Sequence, residues 1–222
     1  MSWHSTAHYY RLLNEISEGR YGPRMNAESI LVTLPFAPLV WAMERADRPT
    51  VAGRIALAAG RAERAGAGGV LLTAFTAHFA APQVREAISV PLIDAFDALA
   101  EAAVDQGVTR LGVLGTRHTL ADPQLAVRLR QAGILPVMPM PGMANRIDTL
   151  IAEELTAGTV SEGAGETLDA AVEAMARKGA EAVALACTEL PLLLPRAAAP
   201  VPLIDGVRTH VVHALNTLER ME

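Results

Sequence analysis

Cysteine is nearly absent from this sequence: Cys187 is the only one among 222 residues. A single cysteine excludes an internal disulfide framework and is typical of the reducing cytoplasm, where we expect the protein to reside. No apolar run is long enough to cross a membrane. The net charge is -5 and no basic stripe occurs, which argues against nucleic-acid binding. These scarcities predict a soluble protein with neither a membrane nor a nucleic-acid partner.

Short apolar runs alternate with amphipathic helical patterns along almost the whole chain. The runs typical of strands cover residues 29–34, 69–73, 90–93, 110–114, 134–137, 182–186 and 201–204. The patterns typical of helices cover residues 1–17, 54–65, 82–88, 95–105, 123–132, 145–156, 165–178 and 206–220. This alternation predicts an α/β protein with parallel sheets and right-handed connections.

An internal repeat organises the chain. The string Val-Pro-Leu-Ile-Asp occurs at 90–94 and again at 201–205, each time between a buried run and an amphipathic helix. A duplicated unit predicts two similar α/β domains related by pseudo-twofold symmetry, with the active site in the cleft between them. We place the first domain at 1–96 plus 205–222 and the second at 97–204. The repeat sets Ala74 at the position equivalent to Cys187.

The two halves differ at their beginnings. The second half opens with a strand-like run, Arg110–Leu114, that leads into Gly115-Thr116, and the first half has no equivalent. Either the first domain has one strand fewer, or the natural chain starts before Met1. We favour a missing first strand, which leaves a central part of the first sheet unpaired and weakens that domain.

The strongest candidate for a reactive group is Cys187. It follows directly after the apolar run 182–186, and in α/β proteins ligands bind at the carboxyl ends of such strands. Pro191 can open a helix, whose first N–H groups would favour a thiolate or a bound carboxylate. Glu189 either orients the thiol or caps this helix. The alternative is that Cys187 is a small buried apolar residue.

Several blocks resemble the aspartate/glutamate racemase superfamily, and the aspartate racemase branch in particular. Two of them, Thr76-Ala-His78 and Cys187-Thr-Glu-Leu-Pro191, are similar to the two catalytic motifs of that superfamily. Three further blocks match as well: 1–15, 114–117 and 151–155.

The resemblance implies an isomerase that inverts the α-carbon of an acidic amino acid without a cofactor or a metal. Two cysteines, one per domain, would flank the substrate, because a planar carbanion must be reprotonated on the face opposite the base. The implied ligand is a small acidic amino acid or dicarboxylate, and the implied assembly a homodimer. The implied substrate-binding residues are Thr76, Thr188, Ser2 and Arg146.

The sequence departs from the racemase pattern in the first motif. Ala74 stands where the first catalytic cysteine is expected, and Phe75 replaces an asparagine. Alanine cannot transfer a proton, so a second acid/base would have to be His78 or Thr76. The unperturbed pKa of a histidine suits that task.

Three functions therefore stay open. The first is racemase-like proton transfer at the α-carbon, with Cys187 as the surviving acid/base. The second is a single-thiol decarboxylase or isomerase of small dicarboxylic acids, which needs only one proton donor. The third is a degenerate homologue that binds its ligand without turnover.

Overall fold

The computed structural model describes residues 2–196 and 199–221. Two compact units make up the chain. Unit 1 comprises Met1–Asp94 together with His210–Glu222, and unit 2 comprises Ala95–Thr209. Both contain parallel strands and helices, which confirms the predicted α/β class.

Over the described residues 2–94, unit 1 contains four α-helices, one 3₁₀ helix and two short strands. In chain order they are α1 (Trp3–Tyr21), α2 (Phe36–Glu44), α3 (Arg48–Arg64), β1 (Val70–Leu71), a 3₁₀ helix (Phe75–Ala80), α4 (Ala81–Ala87) and β2 (Leu92–Ile93). The Ser2 side chain caps α1, because its Oγ accepts a hydrogen bond of 3.2 Å from the Ser5 N–H. Met1, where the first helix was predicted to begin, lies outside the described residues. β1 and β2 pair in parallel.

The predicted strand at 29–34 is wrong. This segment has no regular secondary structure, and three of its apolar side chains, Ile30, Leu31 and Val32, are exposed. A strand needs a neighbouring strand for its backbone hydrogen bonds. Within the described residues, the sheet of unit 1 contains only β1 and β2, and neither pairs with this segment.

Unit 2 contains a larger sheet. In chain order its elements are α5 (Ala95–Asp105), β3 (Arg110–Gly115), α6 (Arg117–Leu120), α7 (Pro123–Gln131), β4 (Leu135–Val137), α8 (Pro141–Glu153), a 3₁₀ helix (Leu155–Ala157), α9 (Glu162–Arg177), β5 (Ala182–Ala186), a second 3₁₀ helix (Leu190–Arg196) and β6 (Leu203–Asp205). The four strands are parallel and lie in the order β4-β3-β5-β6.

The sheet of unit 2 is covered by amphipathic helices, as the apolar spacing predicts. All five residues of β5 are buried, which is typical of the central strands of a parallel sheet. The core packed around β5 includes Ile147 and Leu150 from α8 and Leu168 and Val172 from α9.

The last helix, α10 (Gly206–Glu219), follows Asp205, whose carboxylate accepts hydrogen bonds from the N–H groups of Val207 and Arg208. From His210 onward it belongs to unit 1. His210 is fully buried there and joins three elements. Its Nε2–H donates to the Ile93 carbonyl oxygen over 2.8 Å, and its Nδ1 accepts from the Tyr9 hydroxyl over 2.9 Å.

In the part of the chain that the structure describes, none of the helices is long and apolar enough to span a lipid bilayer.

Candidate functional site

Cys187 is the first residue after β5, at the carboxyl end of a strand in the middle of the unit 2 sheet. The neighbouring strand β3 ends beside it at Gly115. A Cβ atom on Gly115 would lie 2.7 Å from the carbonyl oxygen of Ala186, which is far inside van der Waals contact. Glycine at this position therefore lets the two strand ends lie close together next to the thiol.

The thiol of Cys187 is held by a neighbouring carboxylate. Its S–H donates to Glu189 Oε2 over 3.1 Å, and the Thr188 hydroxyl donates to the same oxygen over 2.5 Å. Glu189 therefore orients the thiol, one of the two roles that the sequence left open.

Burial has the largest effect on the pKa of this thiol. Only 5% of Cys187 is exposed, and the residue belongs to the apolar core of unit 2. Desolvation, followed by the negative charge of Glu189, raises the pKa of the Cys187 thiol well above its usual value. Hydrogen bonds from the backbone N–H groups of Glu189 and Leu190 act in the opposite direction but are outweighed. The expectation that this turn favours a thiolate is therefore wrong for the thiol in its buried position: it is protonated at neutral pH.

The segment of unit 1 that the sequence repeat predicts to be the counterpart of the Cys187 turn follows β1. Thr73 is anchored to α1, since its Oγ1 lies 2.8 Å from Thr6 Oγ1. Ala74 is half-buried and packs against the apolar core of unit 1. Phe75 is 2% exposed, so its ring fills core space. Thr76, half-buried, lies in the 3₁₀ helix that starts at Phe75.

His78, the first-named candidate for a second acid/base, is 0% exposed. Its Nδ1 lies 3.1 Å from the Ala74 carbonyl oxygen and 3.2 Å from that of Phe75, so this nitrogen carries a proton and donates it to backbone. Its ring lies 5.7 Å from the ring of His210. These contacts stabilise the turn that contains Ala74.

The remaining predicted binding residues lie on helices. Ser2 is half-buried at the start of α1, where it also contacts the Ser5 hydroxyl at 2.9 Å. Arg146 is exposed in the second turn of α8, which begins at Pro141 and not at the predicted residue 145. Proline at the first helical position explains the earlier start.

Sequence reasoning did not foresee two contacts that fix the unit 1 segment, the Thr6–Thr73 hydroxyl pair and the Tyr9–His210 hydrogen bond. Both join residues that are distant in sequence, and no local pattern signals them. Across residues 2–196 and 199–221, no cluster of three or more His, Cys, Asp or Glu side chains is arranged to hold a metal ion.

Comparison with known proteins identifies a family match. The family model of the Asp/Glu/hydantoin racemases matches residues 1–214. A protein of known structure from Yersinia pestis, assigned to the Asp/Glu racemases, shares 29% identity with a TM-score of 0.89, over 98% of this chain and 95% of that one. An aspartate racemase homologue from Pyrococcus horikoshii OT3 shares 26% identity with a TM-score of 0.84, again over 98% and 95%.

A more distant likeness extends to the glutamate racemases. The glutamate racemase from Francisella tularensis, whose structure is a complex with D-glutamate, has a TM-score of 0.63. It shares 17% identity over 78% of this chain and 65% of its own, which is a likeness of fold alone.

Proposed function

Since the chain belongs to the Asp/Glu/hydantoin racemase family, we propose that it catalyses proton transfer, without a cofactor, at the α-carbon of a small acidic amino acid. Cys187 is the acid/base. The observation that supports this role best is the pairing of its S–H with Glu189 Oε2 at 3.1 Å, at the end of a buried parallel strand. The D-glutamate complex of the Francisella enzyme agrees with a ligand of this class.

The Cys187–Glu189 pair can work in both directions. The Glu189 carboxylate accepts the thiol proton, and the resulting thiolate removes the α-proton of the substrate, whose C–H electron pair stays on carbon as a carbanion. The reverse steps return a proton to carbon. Because the resting thiol is protonated, it can give its proton to carbon without activation. Removal of the α-proton needs the thiolate, and it therefore depends on Glu189 to accept the thiol proton.

Ala74 limits the outcome of the reaction. Inversion needs a second acid/base on the opposite face of the carbanion, and the repeat places an alanine at the position equivalent to Cys187. His78 donates its Nδ1–H to backbone and is fully buried, so a direct proton transfer from it to substrate would need this turn to open. The proposed chemistry is therefore exchange of the α-proton with largely retained configuration, and Thr76 or His78 would support only slow inversion.

The proposed substrate-binding residues are the four that the sequence predicts, beginning with Thr188. The Thr188 hydroxyl donates a hydrogen bond to Glu189. Thr188 would therefore contribute by holding that carboxylate in place and by offering its own backbone groups to the substrate. Thr76, Ser2 and Arg146 complete the proposed set. Arg146 offers an exposed guanidinium for a distal carboxylate.

Decarboxylation of a small dicarboxylic acid is the second candidate, and the protonated state of Cys187 favours it. In this reaction the C–C bond to one carboxylate breaks, carbon dioxide leaves, and the electron pair stays on carbon. The Cys187 S–H then protonates that carbon, and the thiolate regains its proton from solvent. No second acid/base is needed, which agrees with alanine at position 74.

The reaction type can be read directly by proton NMR in deuterated water. With L-aspartate or L-glutamate, we expect the α-proton signal to disappear while chiral chromatography detects mainly the L-isomer, because Ala74 supplies no proton from the other face. A 2-substituted malonate is tested in parallel for release of carbon dioxide, and heat-inactivated protein is the control.

The other outcomes select the alternatives. Release of carbon dioxide without exchange of either amino acid would contradict the proposed function and favour the decarboxylase. Ligand binding by calorimetry with neither reaction would identify a degenerate binding protein. Homodimer formation and cytoplasmic location stay predictions.

A further inference from the structure

Unit 2 contains a small pocket between the start of α8 and the end of α9. Its volume is about 270 Å³. Three of the eight methionines of the chain, Met140, Met143 and Met175, line this pocket. The thioether sulfur of methionine is neutral and polarisable, and it is only a weak hydrogen-bond acceptor. The pocket therefore brings together three side chains whose donor atoms are soft.

The local sequence places two of these thioethers on one helical turn. Met140 is the cap residue of α8, and Met143 lies in the first turn of that helix. Side chains at these two positions of a helix start lie close to each other. Pro141, the first helical residue, fixes the backbone between them. Met140 is 61% exposed and Met143 is half-buried, so both can be reached from solvent.

The third thioether forms the buried wall of the pocket. Met175 belongs to α9 and is 1% exposed. A Cβ atom on Gly112 of β3 would lie 3.2 Å from the Met175 methyl carbon, so glycine at that position leaves room for the methionine. Met175 is thus fixed by the core, whereas the other two thioethers can adjust to a ligand.

The charges at the pocket argue against a hard metal ion. Lys178 Nζ donates to the Met138 carbonyl oxygen over 2.6 Å and lies 4.0 Å from Met140 Sδ. The guanidinium of Arg177 pairs with Glu173 at 3.3 Å. Among the described residues that line the pocket, none carries a carboxylate. Ca²⁺ and Mg²⁺ need oxygen ligands, most often carboxylates, whereas thioethers prefer soft ions such as Cu(I).

We propose that Met140, Met143 and Met175 form a binding site for a soft monovalent metal ion of the class of Cu(I) and Ag(I). The three sulfur atoms would be its ligands. Lys178 would keep its hydrogen bond to the Met138 carbonyl oxygen, and its positive charge would lower the affinity of the site. The inference does not depend on the chemistry of Cys187.

The first test is a titration of the unmodified chain with Ag(I) in chloride-free buffer, followed by NMR of the methionine methyl groups. We expect the signals of the three pocket methionines to shift. The signals of Met25 and Met221 should stay in place, although these residues are 54% and 58% exposed. Zn²⁺, which prefers nitrogen and thiolate ligands, is the control and should shift none of the three.

The second test measures the Ag(I) affinity of variants in a Cys187→Ala background, so that the thiol does not compete. Met140→Leu and Met143→Leu nearly conserve side-chain volume. Each should weaken binding by about tenfold or more, because a lost ligand costs at least as much as a lost supporting contact. Met221→Leu is the matched control and should bind unchanged. Lys178→Gln should tighten binding by about fivefold, the factor for two unit charges about 4 Å apart in water.

The pH dependence of the affinity separates thioether ligands from histidine. A thioether has no proton to lose, so the affinity should stay constant from about pH 8 down to about pH 5, whereas binding by histidine would weaken below about pH 6.5.

Three results would overturn the proposal. One is equal shifts of exposed and pocket methionine signals, which would show unspecific binding. Another is unchanged affinity in both Met140→Leu and Met143→Leu, and the third is an affinity that falls as histidine is protonated. If the Cys187→Ala background does not fold, the NMR titration of the unmodified chain decides alone.

Discussion

The Ala74→Cys variant is expected to convert L-aspartate into D-aspartate about 10²-fold or more faster than the unmodified chain does. This factor lies within the range that a positioned acid/base contributes. The physical reason is that the internal repeat predicts Ala74 to be the counterpart in unit 1 of Cys187 in unit 2. Ala74 is half-buried next to Thr73, so the larger side chain of cysteine at this position should disturb the packing of the core only slightly. The measurement is chiral chromatography of the product over time.

Two matched variants isolate the effect of position 74. Serine at position 74 is nearly the same size as cysteine but lacks a group with a suitable pKa. The variant Ala77→Cys adds a thiol three residues away, in the 3₁₀ helix that follows Ala74. Both are expected to form no more D-aspartate than the unmodified chain. Equal D-isomer from Ala74→Cys and Ala74→Ser would contradict the equivalence of positions 74 and 187.

Acid is expected to destabilise the protein through His210. Burial, followed by the positive charge that His78 can bear, lowers the pKa of His210 to about 3. His213 also lowers this pKa, whereas the Ile93 carbonyl oxygen and Asp94 raise it. In the unfolded chain this histidine binds a proton below about pH 6.5. The unfolded state then holds more protons than the folded state, so the free energy of unfolding falls as the pH drops from 6.5 toward 3.

The expected loss from His210 alone is about 2–3 kcal/mol between pH 7.5 and pH 4.5. Urea unfolding at both pH values measures it, and His210→Gln isolates it from the carboxylates, which titrate in both proteins. The variant is expected to be less stable at pH 7.5, because the hydrogen bonds to Tyr9 and Ile93 are disturbed. Its further loss between the two pH values should be smaller than that of the unmodified chain by about 2–3 kcal/mol. If the free energy of unfolding fell by the same amount in both proteins between the two pH values, His210 would not titrate as its burial requires.

Local patterns are enough to predict most elements of this fold. Helix α5 was predicted residue for residue, since an apolar stripe ends at Gly107, and Asp122-Pro123 starts α7 through its cap and its proline. The sequence likewise predicts that Cys187 follows a buried strand, because a parallel strand that is buried on both faces is apolar throughout.

The failures have physical causes that sequence patterns do not contain. Residues 29–34 have the composition of a strand, but a strand exists only where another strand pairs with it. The acidity of Cys187 depends on competition between N–H donors, which a sequence suggests, and desolvation beside a carboxylate, which only the packed structure reveals. The Tyr9–His210 contact joins residues that are 201 positions apart.

The most direct test of the central claim is the rate at which Cys187→Ala exchanges the α-proton of L-aspartate in deuterated water. We predict that exchange falls by about 10³-fold or more relative to the unmodified chain, because the removed group is the one that transfers the proton. The melting temperature should change little, since the buried thiol is replaced by a smaller apolar side chain. An unchanged exchange rate in a folded Cys187→Ala variant would contradict the assignment of Cys187 as the acid/base.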